Sequence, residues 1–131
     1  MGSEMCIRDR CRQPDEKARR VRKSREAYDR ALHCNPHDLP SRIGLAALLH
    51  IQGDFEASLR EWEAVCGLAP MNQGVFIQRG LVLRDLDRLD EALEVFLHAD
   101  KLKRKNRQVA LNIRSIRKQL AERKKKDLGQ P

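Results

Sequence analysis

The sequence has no run of apolar residues long enough to cross a membrane. The best candidate, Ile43 to Leu49, is far too short for about 20 apolar residues. No apolar stretch near the start resembles a secretory signal. Nothing alternates apolar and polar residues in the two-residue period of a strand, which excludes a sheet. Four cysteines are present, but none form a Cys-x-x-Cys pair, so neither a disulfide framework nor an ordinary zinc site is expected. There is no glycine-rich phosphate loop and no His-Glu-x-x-His pattern, so no chemistry is expected within this segment. Aromatic residues make up only 4% of the chain, and three of them share one spacing.

Tyr28, Trp62 and Phe96 each stand 34 residues from the next. Small residues keep the same step, in Ser24, Ser58 and Ala92 and in Ala31, Val65 and Ala99. So do Val21, Phe55 and Leu89, and Cys34, Leu68 and Leu102. A period of this length marks stacked helical hairpins, because one hairpin cannot bury both apolar faces and needs a neighbour of the same shape. Ser24, Ala31, Ser58, Ala92 and Ala99, with Ala46 and Gly80, are expected at helix crossings, where small side chains permit about 8–10 Å between axes. The aromatics are expected to fill the space between layers as core.

These positions carry a family resemblance. The stretch from Leu39 to Pro70 resembles a tetratricopeptide repeat, with Leu45, Ala46, Leu49, Gly53, Phe55, Ser58, Trp62 and Pro70 where that family places its signature residues. The turn Gly53-Asp54-Phe55-Glu56 is similar to the family's hairpin turn. The next copy, Gln73 to Arg104, keeps Phe76, Gly80, Leu83, Leu89, Ala92, Phe96 and Ala99. It departs where Arg79 replaces Leu45, Asp87 replaces Gly53 and Arg104 replaces Pro70. The resemblance implies an all-α fold of antiparallel hairpins in a right-handed superhelix, whose concave face binds a peptide or partner segment.

Local signals predict six helices, near 15–33, 41–52, 55–68, 73–86, 89–103 and 106–125. Gly53-Asp54 and Asn35-Pro36 mark turns, and Pro70 stops a helix. The chain divides into a leader (1–14), a partial repeat (15–38), two repeats (39–72 and 73–104), a basic capping helix (105–126) and a tail (127–131). The partial repeat has a second helix, but Pro14 and a run of charges occupy the place of its first, near 5–18. The opening Met5-Cys6-Ile7-Arg8-Asp9-Arg10 resembles leaders produced when adapter DNA is translated in assembled reads. The first ten or so residues are therefore expected to be non-native and the chain a fragment of a longer repeat protein, a natural short leader being the alternative.

Sharper site readings find little support. Cys6 and Cys11 fall in the leader, while Cys34 and Cys66 sit near helix ends, where small buried residues are ordinary. His33, Cys34 and His37 cluster around a turn without a zinc ligand pattern. Asp85, Asp87 and Asp90 begin a calcium-like spacing, which fails because Asp90 stands where glycine is needed and Phe96 where glutamate is needed. Asp90 and Glu91 instead suit the first turn of a helix. His50 and His98 have no evident acid partner in sequence. No metal or other cofactor is expected, and a catalytic domain could lie only elsewhere in a longer chain.

Residues 101–127 hold twelve Lys or Arg against two acids, a net +10. The whole chain carries +8, leaving −2 for everything before, so the basicity reads as a property of the tail. Within this helix Val109, Ile113, Ile116 and Leu120 form one apolar face and Arg107, Arg114 and Lys118 lie opposite. Lys124, Lys125 and Lys126 extend that basic patch. One reading is a solvating cap over the last layer. The other is an electrostatic patch for nucleic acid or an acidic partner. The helix lacks aromatics for stacking bases, which argues against sequence reading of single strands.

In the resembled family the first helix of each hairpin lines the concave wall. On this chain that implies Ile43, Ala47 and His50, then Ile77, Gln78, Leu81 and Arg84, then Leu111 and Ser115. Family members that bind chaperones clamp a terminal carboxylate with Lys and Asn; the matching positions here hold Ile43 and Ala47, which argues against that ligand. An apolar wall favours a peptide with aliphatic anchors, although the same wall could pack on further repeats, the leader or a second copy. The expectation is a non-catalytic, cytoplasmic scaffold for a protein or peptide, without membrane insertion. The alternatives are a basic adaptor for nucleic acid or an acidic partner, and the non-catalytic region of a truncated enzyme.

Overall fold

The computed structural model describes residues 2–129, with side chains described from residue 16 onward. The side chains of the expected leader, Cys6 and Cys11 included, lie outside that set, as do Gln130 and Pro131 of the tail. Six helices follow one another, and no strand occurs among the described residues: α1 (Gly2–Cys34), α2 (Leu39–Ile51), α3 (Phe55–Leu68), α4 (Gln73–Asp85), α5 (Leu89–Leu102) and α6 (Arg107–Asp127). Each packs mainly on its neighbours in sequence. The fold is all-α, built of stacked antiparallel hairpins.

The period governs the helix ends as well as the side chains. α2, α4 and α6 begin 34 residues apart, as do α3 and α5, and α1 and α3 end 34 residues apart. Caps explain several of these ends. Asp54, Asn72 and Asn106 each accept a hydrogen bond from a backbone N–H of the first turn, of Ala57, Val75 and Val109 respectively. Such caps satisfy donors that a helix start otherwise leaves open. The turn before α3 needs Gly53 at φ 83°, a left-handed conformation that glycine takes without penalty. In the next repeat Asp87 takes the same role at φ 64°, and its carboxylate is held by Arg123 of α6.

The expected start of α1 is corrected. Instead of beginning near residue 15, the helix runs unbroken from Gly2 through Pro14 to Cys34. Residues 5–18 thus continue α1. A mid-helix proline costs about 3 kcal/mol through its missing N–H, but its φ fits a helix, and the flanking Glu, Lys, Arg and Ala are good helix formers.

The core is one cluster running from Ala46 to Ile116. Trp62, Val65, Leu83, Ala92, Phe96, Ala99 and Val109 are all buried within it. The small residues act as expected in the interior. Ser58 is fully buried and its hydroxyl donates to the Ala46 carbonyl at 2.7 Å, joining α3 to α2. A Cβ at Gly80 would stand 2.8 Å from the Phe96 ring, so glycine permits this approach of α4 and α5. At the α1 end the same expectation fails: Ser24 is exposed, and Ala31 and Tyr28 are only half-buried. No helix among the described residues covers that side of α1.

A polar joint fixes the last layer. Gln73 Nε2 donates to the carbonyls of Ala99 (2.8 Å) and Lys103 (2.7 Å), and its Oε1 accepts from Asn106 Nδ2 at 2.9 Å. Three helix ends meet at one amide pair.

Candidate functional site

The first helices, α2, α4 and α6, carry the nine expected wall residues. Eight of them fall into equivalent sets one repeat apart: Ile43, Ile77 and Leu111; Ala47, Leu81 and Ser115; His50 and Arg84, whose next equivalent is Lys118 of the basic patch. Gln78 stands where Gly44 and Asn112 stand in the other two helices. Two polar contacts tie these helices side by side. His50 Nε2 lies 2.6 Å from Asp85 Oδ2, linking α2 to α4. One repeat on, Arg84 Nη1 donates to Asn112 Oδ1 at 2.6 Å, linking α4 to α6. Asn112 is oriented by donating from Nδ2 to the Gln108 carbonyl. The acid partner of His50 was hidden from a local reading because it is a full repeat away. Adding the period to His50 lands beside Asp85, and that was the available signal.

Accessibility divides the nine. Leu111 is 52% exposed and Ser115 is open. Ile43, Ala47, His50, Gln78, Leu81 and Arg84 are half-buried. Ile77 is only 5% exposed and belongs to the core. An Ile77 substitution therefore tests folding, whereas Leu111 presents its surface and Leu81 part of its own. His98 packs on Phe76, with ring centroids 4.6 Å apart.

Arg79, in the place of Leu45, points toward α3. Its guanidinium lies 4.0 Å from Glu63, and its buried Nε lacks a partner. Burial pushes the nearby Cys66 thiol above its ordinary pKa, and Arg79 opposes that shift less strongly. Cys66 is therefore held as an inert thiol. Cys34 is exposed. Among the described residues no group of three or more His, Cys, Asp or Glu is placed to hold a metal ion.

The basic residues Arg107, Arg114, Lys118, Lys124, Lys125 and Lys126 are all exposed on α6. Arg123, absent from the sequence reading, pairs with Asp87 and holds that carboxyl below the usual aspartate range. Arg114 stands where Ala46 and Gly80 stand in the preceding first helices. A long cation thus replaces the small residue that lets a second helix approach. The charge reading needs one refinement. Net charge is +5 over residues 1–25, −7 over 26–100 and +10 over 101–131, so α1 is basic as well as α6.

Solved structures resemble this arrangement closely. The first TPR of Spaghetti (RPAP3), solved with the HSP90 peptide SRMEEVD, superposes at TM-score 0.72 and 17% identity, over 80% of this chain and 83% of that one. The fold is that of tetratricopeptide repeat (TPR) domains. The Sgt2 TPR domain from Aspergillus fumigatus gives TM-score 0.72 at 15% identity, over 86% of this chain and 76% of that chain. The Arabidopsis OM64 TPR domain gives 0.69 at 20% identity, over 82% and 88%. No protein-family model matches the sequence, and no curated protein matches it. Low identity with close superposition is what a TPR array permits, because its geometry depends on a few packing positions per repeat. No helix of the described residues is long and apolar enough to cross a membrane.

Proposed function

We propose that this TPR array is a non-catalytic, cytoplasmic scaffold that holds a peptide or partner segment on the wall formed by α2, α4 and α6. The observation that carries this reading is the exposed side chain of Leu111, with the half-buried Leu81 on α4 and Ile43 and Ala47 on α2, on first helices joined by the His50–Asp85 and Arg84–Asn112 contacts. Aliphatic anchors suit an extended or helical segment. The first and second TPR domains of RPAP3 were solved with the HSP90 peptide SRMEEVD and the HSP70 peptide SGPTIEEVD. That precedent supports a peptide ligand here, but Ile43 and Ala47 supply no polar clamp for a terminal carboxylate, so the ligand is of another sequence class.

The test is affinity purification of residues 11–131 from native lysate, beside a Leu111→Asp variant. The expected result is a partner retained by the parent at low and moderate salt and lost by the variant, with helical content unchanged. Equal retention by the variant removes the wall assignment. A second reading rests on the exposed cations of α6. If it holds, nucleic acid is captured, lost steeply with salt, and absent when the chain ends at Lys105.

A further inference from the structure

The α1 end differs from the interior in what covers it. α3 packs on both α2 and α4, and α5 on both α4 and α6, whereas the main neighbour of α1 is α2 alone. Equivalent positions show which face is open. Ser58 and Ala92 are fully buried, but Ser24 is exposed; Trp62 and Phe96 are buried, but Tyr28 is half-open. α1 thus presents the face that α3 gives to α2 and that α5 gives to α4. Next to it lies a groove of about 650 Å³, between α1 and the C-terminal end of α2. Its apolar floor is Ala18, Val21 and Ile51, and its rim is Lys17, Arg22 and Arg25. Ile51 is 77% exposed, and its side chain adds to the apolar floor of the groove.

The rim specifies the occupant. Residues 17–25 contain six cations and no acid. Arg22 stands where α3 has Glu56 and α5 has Asp90, a reversal of sign at one register position. A second copy that docked through its own end helices, α1 or α6, would meet like charge. A purely anionic polymer would pair with the rim but leave Val21 and Ile51 uncovered. We propose that this groove receives an acidic amphipathic helix of a partner protein. Its apolar stripe covers Val21 and Ile51, and its carboxylates face Lys17, Arg22 and Arg25, so that it lies on α1 as α2 lies on α3. This site is separate from the wall of Leu81 and Leu111 and stands independently of the function proposed there.

The test uses the whole chain and a labelled synthetic peptide of about five helical turns, with leucines at i, i+3, i+4 and i+7 and glutamates elsewhere. Three controls are a scrambled peptide of the same composition, the same leucine pattern with lysines, and a single-stranded oligonucleotide. Fluorescence anisotropy should show binding of the patterned acidic peptide only. Ile51→Glu and Arg22→Glu should each weaken it about tenfold, and Leu111→Asp should leave it unchanged. Ile51 and Arg22 are solvent-exposed, so both variants should keep the parent's circular dichroism. Undiminished binding to Ile51→Glu, or equal binding of the scrambled peptide, overturns the proposal. Loss with Leu111→Asp alone places the peptide on the other wall and overturns it too. Oligonucleotide binding that falls with Arg22→Glu but not with Ile51→Glu makes the surface a phosphate site, which also overturns it.

Discussion

α1 and α5 carry the same pattern at the same register and end in different surroundings. In α5, Ala92, Phe96 and Ala99 are sealed between α4 and α6. In α1, Ser24, Tyr28 and Ala31 occupy those positions with one side open. An equivalent residue therefore need not have an equivalent energetic role. What a side chain contributes depends on the neighbour that covers it, because burial and dispersion accrue only against atoms that are present.

The largest break in this comparison should come from the aromatics. Phe96→Ala is expected to cost about 3–5 kcal/mol, the range for emptying a sealed aromatic site. Tyr28→Ala should cost less than half of that, because water already reaches its ring. Denaturant titration of the two variants measures the difference, and equal losses would mean that α1 is covered in solution. Next come the glycines. Gly80→Ala should cost about 1–3 kcal/mol through overpacking, since the Phe96 ring has nowhere to go. Gly44→Ala meets the outer end of the Tyr28 ring, which can swing toward solvent, so its loss in the same titration should be smaller.

A finer contrast lies in the serines. Ser58→Ala removes a buried hydrogen bond to the Ala46 carbonyl and should cost about 1 kcal/mol or somewhat more. Ser24→Ala should leave the thermal midpoint unchanged. The smallest effect is electrostatic. Arg123 donates to Asp87 and lowers its pKa in the folded state. The stabilisation is therefore present above the unfolded value, about pH 4, and is lost as acid carries the pH down through the folded value. Both groups are exposed, so the change is slight. Arg123→Ala should flatten the acid limb of the stability curve below about pH 4, and an unchanged limb would show that the pair contributes nothing.

Much of the fold was legible because a packing constraint repeats. Expected helices at 55–68, 73–86 and 89–103 match Phe55–Leu68, Gln73–Asp85 and Leu89–Leu102 closely, since Gly53, Asp87 and the capping Asn and Asp residues leave few choices. The start of α1 was misplaced because Pro14 signals a break from local chemistry, while the flanking helix formers carry the helix through it. Of the proposed wall, the resemblance named the residues, but the burial of Ile77 could not be read from it. A helix has no sharp boundary between its wall side and its packing side, and a rotation of a few degrees moves a residue from one to the other.

The sequence by itself determined the repeat length, the hairpin architecture and the sign of charge at each end, because these follow from spacing and composition. Only the tertiary structure decided that His50 meets Asp85, that Asn106 and Gln73 lock three helix ends, and that α1 keeps one face open. Those outcomes depend on which surfaces meet across a layer, and a side chain's partners in space are set by the packing of whole helices rather than by its neighbours in the chain.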